Sequence, residues 1–152
     1  MNFGFLRARV SEAAAAIFLL AAGMWGFYSW APLQTWFVYT AIEPVIPVVH
    51  NQPIFFRSRI IGSREVPVTW VDVLNCRSSA HPEFKQIHRV ETEGRIRVQT
   101  PETGVIWKFA TVQEALPGDT CFLRSLITVH LPLGVKRQQI VYSTLFTISE
   151  NG

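Results

Sequence analysis

An uncharged apolar run near the N-terminus constrains this chain more than any other feature. No Asp, Glu, Lys or Arg occurs between Glu12 and Glu43, and residues 13–31 are almost entirely apolar. At about 1.5 Å per residue, a helix over these residues is roughly 28 Å long, close to the ~30 Å hydrocarbon core of a bilayer. The run therefore predicts a single transmembrane helix whose partner is the lipid bilayer.

The two ends of the run favour a retained anchor over a cleaved signal peptide. Arg7 and Arg9 precede it, and tryptophan and tyrosine crowd its far end, where amphipathic rings prefer the membrane–water interface. The apolar region of a signal peptide is usually about 7–15 residues long, and here Pro32 directly follows the nearest small-residue cleavage site. A cleaved signal peptide and a buried helix of a soluble domain are the alternatives. The run has no polar face, which argues against the buried helix.

Charge sets the expected topology and the division of the chain. The positive-inside rule places the arginine-bearing N-terminus in the cytoplasm and the rest beyond the membrane, in a periplasmic or extracellular compartment. We expect a short cytoplasmic tail over residues 1–12, a transmembrane signal anchor over 13–31, a juxtamembrane linker over 32–40 and an extracytoplasmic domain over 41–152.

After Pro32 the sequence alternates between apolar and polar residues with a period of two, in short runs separated by turn residues. The residues expected to face inward are Ile54, Phe56, Ser58 and Ile60; Val66, Val68, Trp70, Asp72, Leu74 and Cys76; Ile96 and Val98; Val105, Trp107 and Phe109; Cys121, Leu123, Ile127, Val129 and Leu131; and Ile140, Tyr142, Phe146 and Ile148. Pro44 and Pro47 predict that the segment before these runs is an edge strand, because proline has no backbone N–H to donate to a neighbouring strand.

These runs predict an all-β fold, an antiparallel immunoglobulin-like sandwich, preceded by one N-terminal transmembrane helix. A small β-barrel is the alternative. A lone buried carboxylate is costly, so we expect a bulge or an arginine partner at Asp72. Cys76 and Cys121 both fall on inward faces, and an oxidising compartment permits them to form a buried disulfide.

Two arginine pairs, Arg57 with Arg59 and Arg95 with Arg97, lie on strand-like segments. A period of two puts each pair on one face of its strand. If the two strands were neighbours, the four guanidinium groups would form a basic patch able to bind anions or a partner. The alternative interpretation is a solvated sheet face that discourages edge pairing.

Several classes of function lack their sequence signals. A net charge of +3 is too small to indicate nucleic-acid binding. The four histidines have no metal-ligand spacing, and no nucleophile elbow, phosphate-binding loop or dinucleotide fingerprint occurs. We therefore expect no catalytic residues, no metal and no cofactor, and we expect that the chain is not an enzyme.

The leading hypothesis is a membrane-anchored β-sandwich used for binding or assembly with another protein or an envelope component. The short N-terminal tail and the absence of an N-x-[ST] glycosylation acceptor favour a bacterial or phage-encoded protein. One alternative is a phage lysis or superinfection-exclusion protein whose span does the work. The others are an envelope enzyme with a catalytic cleft and a subunit packed in a virion or secretion complex.

Overall fold

A computed structural model describes residues 3–35, 37–62, 65–96 and 105–150. The N-terminal helix α1 covers Phe3–Trp30 and ends just before Pro32, whose ring and missing N–H oppose its continuation. In the described part of the chain, Glu12–Trp30 is the one helix long and apolar enough to cross a membrane, and none of its side chains is buried. The predicted apolar N-terminal helix is therefore present at the expected position.

Nine strands are described after α1. They are β1 Phe37–Pro44, β2 Val48–Val49, β3 Pro53–Gly62, β4 Val66–Arg77, β5 Lys85–Ile96, β6 Val105–Thr111, β7 Thr120–His130, β8 Lys136–Tyr142 and β9 Phe146–Ser149. Short 3₁₀ turns cover Leu33–Thr35 and Pro132–Gly134. The first of these turns and the start of β1 fall within residues 32–40, the segment expected to be a linker.

The strands form two sheets. The smaller has the antiparallel order β1-β3-β6, with β1 at its edge as the prolines predict. The larger runs β2-β9-β7-β4-β5, and β8 also pairs with β7. Within the described residues, an isolated bridge between Ile42 and Ser143 joins β1 of the small sheet to the residue that follows β8. The predicted mostly-β fold is confirmed at this level, and two sheets joined along one side fit a sandwich or a half-barrel.

An aromatic cluster fills the space between the sheets. The fully buried ring of Phe56 on β3 has its centroid 5.5 Å from that of Trp107 and 6.0 Å from that of Phe109, both on β6. It also lies 5.8 Å from the ring of Phe146 on β9, so this one side chain joins the two sheets. The indole Nε1 of Trp107 donates a hydrogen bond to the hydroxyl of Ser58 at 3.2 Å, which satisfies both groups within the core.

The predicted strand faces are right for β3, β4 and β7 and wrong for β8. Most inward residues of the first three strands are buried, and Phe56, Leu74 and Leu123 are fully so, whereas Trp70 is half-buried. Val98, also expected to face inward, lies outside the described residues. Ile140 and Tyr142, which were expected inside, are instead 52% and 58% exposed. The chain leaves strand geometry between β8 and β9, so Phe146 keeps the inward face while β8 adopts the opposite phase.

The two cysteines occupy directly paired positions on neighbouring strands. Cys76 on β4 lies opposite Cys121 on β7, with a Cα–Cα distance of 4.1 Å, and the sulfur atoms are at bonding distance. Both side chains are buried. The pair lies within one sheet, whereas the disulfide of an antibody domain joins two sheets, so this part of the immunoglobulin pattern is not reproduced.

Candidate functional site

Arg137 connects the β-domain to the end of the N-terminal helix. From the inward side of β8, its Nη1 donates to the carbonyl oxygen of Ala31 at 3.0 Å and to that of Ser29, with the carbonyl of Tyr28 at 3.5 Å. The last carbonyls of a helix lack partners within the helix and carry partial negative charge. The guanidinium therefore satisfies these acceptors and compensates the helix dipole at the same place.

The end of α1 also belongs to the hydrophobic core of the β-domain. Ala31 is buried within that core, and Tyr28 and Leu33 pack against it. We call Tyr28, Ser29, Ala31, Leu33 and Arg137 the junction. Because the junction combines apolar packing with charge-assisted hydrogen bonds, it holds the β-domain directly on the end of the helix.

No sequence motif indicated the junction. Arg137 lies in a polar stretch, Lys136–Gln139, that is typical of a solvated strand. More than a hundred residues separate it from the carbonyls it contacts. The expected inward face of β8, with Ile140 and Tyr142, leaves Arg137 on the opposite, outer face, so the alternation pointed away from this contact.

The outer face of the large sheet carries exposed apolar side chains. Ile140 lies beside Leu126, its pairing partner on β7, and the ring of Tyr142 is 6.0 Å from that of Phe122. The ring of Phe84 continues this row, with its centroid 4.9 Å from that of Phe122. We call these residues the outer strip: Phe84, Phe122, Leu126, Ile140 and Tyr142. Aromatic and aliphatic residues exposed side by side are typical of protein-binding surfaces.

The structure separates the arginines that were considered as one basic patch. Arg57 and Arg59 are exposed on β3 of the small sheet, whereas Arg95 is on β5 at the edge of the large sheet. Arg95 pairs with Glu65 at 3.2 Å in an exposed salt bridge, the kind that adds little stability. Arg97 lies outside the described residues. Strand pairing therefore gives no support to a shared patch, which stays a hypothesis.

Asp72 is buried on the inward face of β4, and its partner differs from the one expected. The hydroxyl of Ser125, at the directly paired position on β7, donates a hydrogen bond to Oδ1 of Asp72. The nearby bulge lies between Leu74 and Asn75, where β4 pairs with β5. The expected bulge or arginine at Asp72 is thus wrong. Burial raises the pKa of Asp72, and the Ser125 hydrogen bond lowers it in part.

Two of the histidines have structural partners. Nδ1 of His50 lies 2.8 Å from the carbonyl oxygen of Ala115, and Nε2 of His130 lies 2.9 Å from the hydroxyl of Thr69. Among the residues that the structure describes, no group of three or more His, Cys, Asp or Glu side chains is placed to hold a metal ion.

No protein-family model matches the chain, and no curated protein is significantly similar to it. The class that the fold and the junction define is a two-sheet β-domain mounted on one helix of membrane-spanning length. The junction and the outer strip are the features of this domain that bear on function.

Replacing Arg137 with methionine should lower the free energy of unfolding by about 2 kcal/mol, because the helix carbonyls lose a charged hydrogen-bond donor. Arg137→Lys should recover part of this loss, since an ammonium group keeps the charge with fewer donors. The measurement is urea unfolding of the full chain in detergent micelles, followed by tryptophan fluorescence.

The matched control for that substitution is Arg124→Met, which removes an exposed arginine from β7. It should leave the unfolding free energy within about 0.5 kcal/mol of the unmodified chain. Equal effects of the Arg124 and Arg137 substitutions would show that the junction does not stabilise the fold.

Asp72 should make stability depend on pH. Its pKa in the folded state lies above the ordinary value of 3.8, so the folded chain binds more protons than the unfolded chain between these two values. The contribution of Asp72 to stability is therefore full below pH 3.8 and is lost as the pH rises through the raised pKa. Unfolding free energies measured in small pH steps from about pH 3.5 upwards should show this decline and then level off once Asp72 is ionised in both the folded and the unfolded chain.

Two variants test the assignment of that decline to Asp72. Asp72→Asn removes the titrating group, so its stability relative to the unmodified chain should rise with pH and then level off. Ser125→Ala removes the hydrogen bond that lowers the pKa, so the decline should extend to higher pH. Stability curves that run parallel to that of the unmodified chain in both variants would refute the assignment.

Proposed function

We propose that the chain is a single-pass membrane protein retained by α1, with a cytoplasmic N-terminus and an extracytoplasmic β-domain. The junction is the observation that carries this proposal. Cleavage near Ala31 would remove Tyr28 from the side of the core and leave the inward-facing guanidinium of Arg137 without the helix carbonyls. A half-buried guanidinium that loses its hydrogen-bond acceptors destabilises the fold, so the junction favours the retained anchor over the cleaved signal.

The compartment follows from the same topology. Arg7 and Arg9 precede the span, and the positive-inside rule assigns that end to the cytoplasm. The β-domain then lies in a periplasmic or extracellular space, where cysteines at bonding distance persist as a disulfide. The two mostly antiparallel sheets around an aromatic core support an immunoglobulin-like sandwich as the finer description of this domain.

The function that we propose is binding or assembly with another protein or an envelope component, in a bacterial or phage-encoded system, without catalysis. Its support is the outer strip, in which Ile140 and Tyr142 are more than half exposed. Arg77 stacks over the ring of Phe84, with its guanidinium carbon 4.9 Å from the ring centroid, and so adds a charged rim. Exposed Arg124, the pairing partner of Tyr142 on β7, lies among these side chains, and aromatic residues together with arginine are enriched at protein interfaces.

Mass spectrometry of full-length protein purified from membranes tests the anchor and the compartment together. The intact mass should retain the residues before Pro32, because the junction requires the end of α1. Alkylation before reduction should leave Cys76 and Cys121 unmodified, and alkylation after reduction should modify both. A mature N-terminus near residue 32 would contradict the anchor, and two thiols that react without reduction would contradict the oxidising compartment.

Site-specific photo-crosslinking in the native host tests the outer strip. A photoreactive phenylalanine analogue at Ile140 should give a discrete adduct of higher mass, and Tyr142→Glu should abolish that adduct by placing a charge in the contact. The matched control carries the analogue at Glu93, an exposed position on the same sheet face but at its opposite edge. Adducts of equal yield from both positions, or none from Ile140, would count against the strip as a binding surface.

A further inference from the structure

The turn that precedes β8 lies beside the end of the N-terminal helix. Cα atoms of Pro132–Gly134 are within 8 Å of Cα atoms of α1. Leu133, four residues before Arg137, can lie no more than about 14 Å from it along an extended chain. Because Arg137 is bonded to the last carbonyls of α1, the turn is held at the level where the helix leaves the membrane.

The side chain at the tip of this turn is unusual for its backbone conformation. Leu133 has a φ of 59°, in the left-handed region where glycine or asparagine is the usual residue, and its side chain is 51% exposed. Non-glycine residues in this region are strained, and such strain often marks a functional position. The exposed leucine is therefore available for an apolar contact outside the domain.

The groups around Leu133 match the chemistry of a membrane interface. Trp30, the last residue of α1, is 86% exposed, and tryptophan is enriched where hydrocarbon meets the headgroups. Lys136 is exposed at the start of β8, next to Arg137. An indole at the end of α1, an aliphatic side chain in the turn beside α1 and an ammonium group at the start of β8 are the components of an interfacial lipid contact.

We propose that the Pro132–Gly134 turn is a second membrane contact, in which Leu133 enters the bilayer interface beside Trp30 and Lys136 faces the headgroup phosphates. The partner is the lipid of the same bilayer that α1 crosses, so this inference rests on the proposed anchor. Its consequence is mechanical. Two contacts at one end of the domain, α1 and the turn, restrict rocking of the β-domain that a single helix would permit.

The test uses an environment-sensitive fluorophore on introduced cysteines in the full chain, reconstituted in vesicles of phosphatidylethanolamine and phosphatidylglycerol with and without doxyl-labelled lipid. Leu133→Cys reports the turn, and Met24→Cys reports the span. Leu116→Cys is the matched control, because Leu116 is similarly exposed at 57% but lies in the loop before β7, at the opposite end of that strand. The unmodified chain, whose own cysteines are paired, gives the background labelling.

Lipid-borne doxyl groups should quench the fluorophore at positions 24 and 133 several-fold more than at position 116. Strong quenching at position 24 with equal, weak quenching at 133 and 116 would overturn the turn contact and leave the anchor standing. Absence of quenching at position 24 would overturn the anchor and the turn contact with it. If circular dichroism shows that Leu133→Cys folds poorly, the same quenching measurement is made with Lys136→Cys. We then expect stronger quenching at position 136 than at position 116.

Discussion

The bond between the guanidinium of Arg137 and the last carbonyls of α1 determines how the final part of the domain is arranged. To reach the helix, Arg137 has to point inward from β8. The period of two then turns Val141 inward as well and leaves Ile140 and Tyr142 outside. The contact that fixes the helix thus also exposes the two most prominent members of the outer strip, so anchoring and the proposed binding surface share one cause.

Strand β7 connects the ends of the domain. It pairs with β4 along most of its length, and with β8 and β9 along its other edge. One end carries Cys121 opposite Cys76, and the other leads through His130 into the turn beside α1. Hydrogen-bonded strands transmit displacement with little deformation, because cores are close-packed. A force on the outer strip therefore reaches the helix through β8 and its Arg137, while the cysteine pair holds the far end of the sheet together.

The sequence predicts the strand faces correctly where one face of a strand is buried and the other is exposed to solvent. This holds for β3, β4 and β7, whose alternation predicts the buried sets containing Phe56, Leu74 and Leu123. The helix was predictable for a different reason, since residues 13–31 are apolar and uncharged over the length of a membrane span. Prediction from the sequence failed where tertiary contacts determine the phase of a strand or the partner of a side chain. Ser143 accepts a hydrogen bond from the amide of Leu123 and bridges to Ile42, which breaks an apparently continuous run into β8 and β9. The junction and the Ser125 partner of Asp72 arise only once distant strands are in register, and no local pattern encodes them.

The height of the outer strip above the membrane follows from the same geometry. Ile140 and Tyr142 are three and five residues beyond Arg137, so they lie at most about 10 and 17 Å from it along the strand. The headgroup region extends roughly 5–8 Å beyond the hydrocarbon core on each side. If α1 crosses the bilayer and β8 runs along the membrane normal, the strip begins near the outer edge of the headgroups, on a domain that has only the Leu33–Thr35 turn and one further residue between Pro32 and β1. A partner that covers the strip would then contact it close to the membrane surface, so the proposed envelope component would be one that reaches this surface.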